Sequence, residues 1–132
     1  PLSCCAGYHT LAEIERTQAC EKAGRAGDRI TKGLNALIDK YGLPFVAFNQ
    51  GAIVHLETAG TLYVKLNFLK IKSVLKEIAA RKKLMEQMGA AYMAEGVVTL
   101  AGSRLYMSMA DTDEVVDDAL SRFERVFQSI EK

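Results

Sequence analysis

Tryptophan is absent from this 132-residue chain, and proline occurs only 2 times. So little proline excludes a Pro-rich linker or a disordered tail as the main state. Neither sign of charge dominates, with 17 Lys+Arg against 16 Asp+Glu. That balance gives no global reason to expect nucleic acid or an acidic surface as a partner. No apolar run approaches the roughly 20 residues of a bilayer span, so no membrane partner is expected. Cysteine occurs 3 times, as Cys4, Cys5 and Cys20. This spacing matches neither a disulfide framework nor a zinc site, and no Asn-x-Ser/Thr acceptor is present. A reducing, cytoplasmic location follows as the expectation, with the cysteines as small core residues. Also missing are a Walker loop, a G-x-G-x-x-G turn, a C-x-x-C pair, an H-E-x-x-H helix and a G-x-S-x-G elbow. No catalytic residue and no metal site is therefore assigned to this chain.

What is present suits one soluble domain. Hydrophobic residues make up 49% and charged residues 25% of the chain. At this length one core can form, while two would be short of residues. The chain opens Pro1-Leu2-Ser3-Cys4-Cys5, without an initiator Met, a basic leader or a long apolar leader segment. It reads as a chain entered partway through.

Periodicity gives the order of elements. A short helix is expected from Leu2 to about Glu15, with Cys5, Ala6, Leu11, Ala12 and Ile14 on its buried side. A clearer amphipathic stripe follows in Ala23, Ala26, Ile30, Leu34, Leu37, Ile38 and Tyr41. Glu21/Arg25 and Asp28/Lys32 add i,i+4 pairs on its wet face. Gly42 and Pro44 then mark its end. Phe45–Phe48 and Ile53–Leu56 read as paired antiparallel strands around Asn49-Gln50-Gly51. Thr61–Leu66 reads as a third strand or a lead-in to the next helix. That helix spans about Ile71 to Met93 on the stripe Val74, Leu75, Ile78, Leu84, Met85, Met88 and Tyr92, and Gly96 closes it. Val97–Leu100 and Leu105–Met109 are expected to pair across the turn Ala101-Gly102-Ser103-Arg104. The last helix starts at Asp111-Thr112-Asp113-Glu114, a capping side chain with Glu three residues on. Its buried stripe is Val116, Ala119, Leu120, Phe123, Phe127 and Ile130. The pattern is α+β, with helices packed on a small, mostly antiparallel sheet.

Few side chains stand out for chemistry. His9 and His55 are far apart, and His55 reads as a partly buried or sheet-face histidine. Lys65, Lys70, Lys72, Lys76, Arg81, Lys82 and Lys83 form a basic stretch that reads as a solvated face. Arg104 differs, because a turn on a rigid sheet presents functional groups and a guanidinium grips a carboxylate with two hydrogen bonds.

Two stretches resemble a known family. Pro1-Leu2-Ser3-Cys4-Cys5-Ala6-Gly7-Tyr8-His9-Thr10-Leu11 resembles the start of the C-terminal small domain of class-III aminotransferases that depend on pyridoxal phosphate. Gly89–Gly96, Leu100–Arg104 and Ala110–Val115 are similar to that domain's end, most of all in the group around glutamate-1-semialdehyde aminomutase. The segment Thr61–Lys83 is unlike the aminomutase, which keeps a sibling aminotransferase open. The resemblance implies that residues 1–132 are the small domain of a fold-type I enzyme. It implies a parent that is a homodimer with a small amino-acid-like substrate, and a large domain as this domain's partner. The Schiff-base lysine, the aspartate facing the pyridine nitrogen and the phosphate loop belong to that large domain, so this chain alone should hold no cofactor and be inactive. Arg104 and Ser103 fall where the family places residues near the substrate. The competing reading is a freestanding α+β binding or assembly module without catalysis.

Overall fold

In the computed structural model the described residues are 1–58 and 71–130. The stretch Thr61–Leu66 and the basic residues Lys65 and Lys70 lie outside them, as do the side chains of Lys72, Val74 and Leu75. The elements run α1 (Leu2–Thr17), α2 (Ala19–Tyr41), β1 (Val46–Gln50), β2 (Ile53–Glu57), α3 (Ile71–Ala94), β3 (Arg104–Tyr106) and α4 (Asp113–Gln128). The three strands form an antiparallel sheet in the order β1-β2-β3. The α+β expectation holds.

The core sits between one face of the sheet and the stripes of α2 and α4. Alternation sends Ala47, Val54, Leu56 and Leu105 inward, where all four are buried. They meet Ala26, Ile30, Leu34 and Ile38 of α2, and Val116, Phe123, Val126 and Phe127 of α4. Met88 and Tyr92 bring α3 into the same core, with the Tyr92 and Phe123 rings edge to face at 4.9 Å. By contrast Ile78 and Leu84, expected on the α3 stripe, are exposed. Burial drives the Tyr92 hydroxyl well above its ordinary range, and no described group accepts its proton.

Ion pairs clamp the outer rims of α2 and α4. Arg29 Nη2 donates to Asp117 at 2.6 and 2.8 Å, and Lys40 Nζ reaches Glu124 Oε1 at 2.6 Å. The Lys40 ammonium and then the Tyr41 hydroxyl hold the Glu124 carboxyl below its usual range. The charged groups lie at the surface, with Glu124 and Tyr41 half-buried, so the pairs set register more than stability.

One polar device ties α2 to the sheet edge. Asn35 Nδ2 donates to the Ala47 carbonyl at 3.0 Å, and the Ala47 N–H donates back to Asn35 Oδ1 at 3.3 Å. The amide thus stands in for a neighbouring strand at a half-buried edge. Asn35→Ala strands both backbone groups and is expected to cost about 1–3 kcal/mol, read as a lower midpoint in urea unfolding. An unchanged midpoint would show that water replaces the amide at no cost.

Five expectations need correction. The three cysteines are free and exposed rather than core: Cys4 and Cys5 lie on α1, which buries no residue, and Cys20 lies in the first turn of α2, off its buried stripe. Of its expected apolar side only Ile14 is even half-buried. Val97–Leu100 is not a strand. The Val97 N–H is committed to the Tyr92 carbonyl at 2.8 Å in the α3 C-cap, and only Leu100 bridges to Arg104. The following strand accordingly shrinks from Leu105–Met109 to Arg104–Tyr106, so Arg104 opens a strand rather than sitting in the turn. Finally, Thr112 is the α4 N-cap without a side-chain cap bond. Asp111 instead accepts from the Ser108 N–H at 2.6 Å and the Ser108 hydroxyl at 3.0 Å. Glu114 bonds the Thr112 hydroxyl and then its own N–H, which holds its carboxyl below the usual range.

Candidate functional site

The helices cover only one face of the sheet among the described residues. On the other face the pleat aligns Phe48, His55 and Arg104 as one row across the three strands. A second row is Gln50, Ile53 and Tyr106, and Val46 pairs with Glu57 beyond the first. Phe48 is 49% and Tyr106 58% exposed, and Arg104 is exposed. Such a face combines flat apolar surface with one permanent cation.

The central row is ordered by its own contacts. The Phe48 and His55 rings lie parallel within 5° at 5.0 Å between centroids. Stacking fixes the imidazole plane and leaves its edge open. His55 Nδ1 is 3.9 Å from Glu57 Oε1, too far for a hydrogen bond. On the other side Arg104 is the direct cross-strand partner of His55, where side chains emerge about 4.5–5.5 Å apart at Cβ. The guanidinium of Arg104 makes no hydrogen bond or ion pair with any described residue.

The height of Arg104 is set by the turn before it. Ala101 and Gly102 both take positive φ, at 53° and 72°, and close a three-residue loop between Leu100 and Arg104. Gly102 lies against α3 so closely that a Cβ there would sit 2.1 Å from the Met85 carbonyl oxygen. The α3 side of that contact is Gly89, whose own Cβ would meet the Gly102 Cα at 2.9 Å. Ser103, 4% exposed, is buried beneath the turn, and its carbonyl accepts from the Leu56 N–H at 2.7 Å. Ser103 therefore fastens the turn to β2, and Arg104 is the member of the pair that reaches the open face. Sequence reasoning isolated both residues but not the row. The alternation of Phe48 and His55 in a hairpin was the available signal.

The basic stretch joins no such arrangement where it is described. Lys82 pairs with Glu86 at 3.8 Å along α3. Among the described residues no group of His, Cys, Asp and Glu is placed to hold a metal ion. No described helix is long and apolar enough to cross a membrane.

The chain is 33% identical over 135 residues to glutamate-1-semialdehyde 2,1-aminomutase 2 of Shouchella clausii (strain KSM-K16), across 98% of this chain and 29% of that protein. Along almost its whole length this chain is similar to glutamate-1-semialdehyde 2,1-aminomutases. A second match, at 28% identity, is the glutamate-1-semialdehyde 2,1-aminomutase of Pyrobaculum calidifontis (strain DSM 21063 / JCM 11548 / VA1), over 100% of this chain and 29% of the relative. A third, at 26%, is glutamate-1-semialdehyde 2,1-aminomutase 2 of Geobacillus kaustophilus (strain HTA426), over 96% and 28% respectively. The chain thus spans less than a third of the length of these aminomutases. No protein-family model matches it.

Proposed function

We propose that this chain is the C-terminal small domain of a pyridoxal-phosphate-dependent glutamate-1-semialdehyde aminomutase or sibling class-III aminotransferase. In this reading it closes one side of the substrate cleft and is inactive alone. The observation that carries it is similarity to aminomutases along 96–100% of the chain, each match taking in 28–29% of the relative. The open sheet face supports it, since a domain that closes a cleft needs a surface not already covered by its own helices. Arg104 on that face would hold a substrate carboxylate, with Ser103 and Gly102 fixing the position of its strand.

When bound, the cofactor supplies an electron sink for breaking bonds at the amino-bearing carbon. The open face does not itself fit that group, because none of its eight residues (Val46, Phe48, Gln50, Ile53, His55, Glu57, Arg104, Tyr106) is a lysine able to bond an aldehyde. The Schiff-base lysine, the aspartate and the phosphate loop are assigned to the large domain, with which this domain would pair in a cytoplasmic homodimer.

Borohydride trapping tests this division of labour. The full-length protein, loaded with pyridoxal phosphate and reduced, should carry one stoichiometric label on a lysine outside these 132 residues. Peptide mapping that finds the label on a single lysine of this chain contradicts the reading.

A further inference from the structure

On the open face His55 is a polar ring with no assigned task. It stands in the centre of the row, between the flat face of Phe48 and the guanidinium of Arg104, which no described residue pairs. Its side chain is 28% exposed, enough to reach a ligand while the ring remains held. Neither ring nitrogen makes a hydrogen bond with a described residue, and the nearest carboxylate is the 3.9 Å contact to Glu57. An oriented imidazole therefore keeps an N–H available beside a cation.

We propose that His55 is a second contact to the carboxylate of an amino-acid-like substrate, and so a specificity-determining residue beside Arg104. This rests on the reading that the open face borders the substrate cleft. Arg104 would take the charge and both oxygens of the anion, as a guanidinium fork does. The His55 N–H would donate to one of those oxygens from the adjacent strand. The two donors come from different strands, so their separation is fixed by the sheet register rather than by one flexible side chain. Phe48 keeps the ring upright by stacking. Substrates without a carboxylate would gain nothing from either residue.

The full-length enzyme provides the test, with substrate pairs that do and do not carry the carboxylate. His55→Phe keeps a ring to stack on Phe48 and deletes the N–H, whereas His55→Gln keeps a donor. His55→Phe should raise KM for the carboxylate substrate roughly five- to tenfold, with kcat within about twofold. His55→Gln should stay within about threefold of the parent, and the substrate lacking a carboxylate should not distinguish the variants. An unchanged KM in His55→Phe, while Arg104→Ala has lost affinity, overturns the role of His55 alone. Unchanged kinetics in both variants overturn the face as a substrate surface, and the His55 proposal with it. An equal rise in KM for both substrates marks a structural role and also overturns it. Should His55→Phe fail to fold, imidazole NMR of the unmodified enzyme decides. His55 signals should move on saturation with glutarate, and stationary signals overturn the contact.

Discussion

Gly102→Ala is expected to destabilise this domain by about 2–5 kcal/mol and to disturb the open face that the proposed function assigns to substrate. Two costs add at this position. The backbone has φ +72°, a left-handed conformation that a side chain disfavours by about 1–2 kcal/mol. A Cβ would also stand 2.1 Å from the Met85 carbonyl oxygen and 2.9 Å from its carbon, both on helix backbone that has little room to give. Relieving such an overlap costs about 1–3 kcal/mol through displaced backbone. The turn would have to lift from α3, and Arg104 begins the strand immediately after it. Equilibrium unfolding in urea measures the first effect, and the affinity of the full-length enzyme for its carboxylate substrate measures the second. A variant with parental stability would show that the turn does not rest on α3 as described.

Much of the fold is legible in local pattern. The α2 and α4 stripes bury where period 3.6 places them, since both helices turn their apolar residues into one shared core, α2 against the sheet and α4 against α2. The β1-β2 hairpin follows from two β-prone runs, and the structure pairs them antiparallel, but Asn49 and Gln50, expected in the turn, end β1 and pair with Val54 and Ile53. What escaped the pattern depended on distant partners. Val97–Leu100 has strand composition, yet the amide of Val97 is drawn into the end of α3 and only Leu100 reaches a bridge. Nothing in those residues reveals that competition. The small residues of α1 suggested a buried side, but burial needs a facing layer, and the described residues contain none for that helix. For the site, Arg104 was isolated by residue type and by its expected place in a turn, whereas it opens β3. The contact between Gly102 and α3 that sets its height joins residues 13 apart to Gly89 and has no local signal.

Arg104→Ala in the full-length enzyme is expected to lower kcat/KM for a carboxylate-bearing substrate by roughly 10- to 150-fold. A hydrogen bond to a charged group contributes about 1.5–3 kcal/mol, and each 1.4 kcal/mol is a factor of ten. Arg104 suits that task because its guanidinium is exposed on the open face and no described residue occupies it. Stability should scarcely change, since an exposed charge without a partner contributes little to folding. A merely solvated arginine on the same strand would leave the kinetics unaltered. Steady-state kinetics of Arg104→Ala, run with matched amino donors that differ only in the carboxylate, tests the assignment most directly. The proposed cleft-closing domain predicts a large loss confined to the carboxylate donor, and equal activity with both donors, at parental rates, contradicts it.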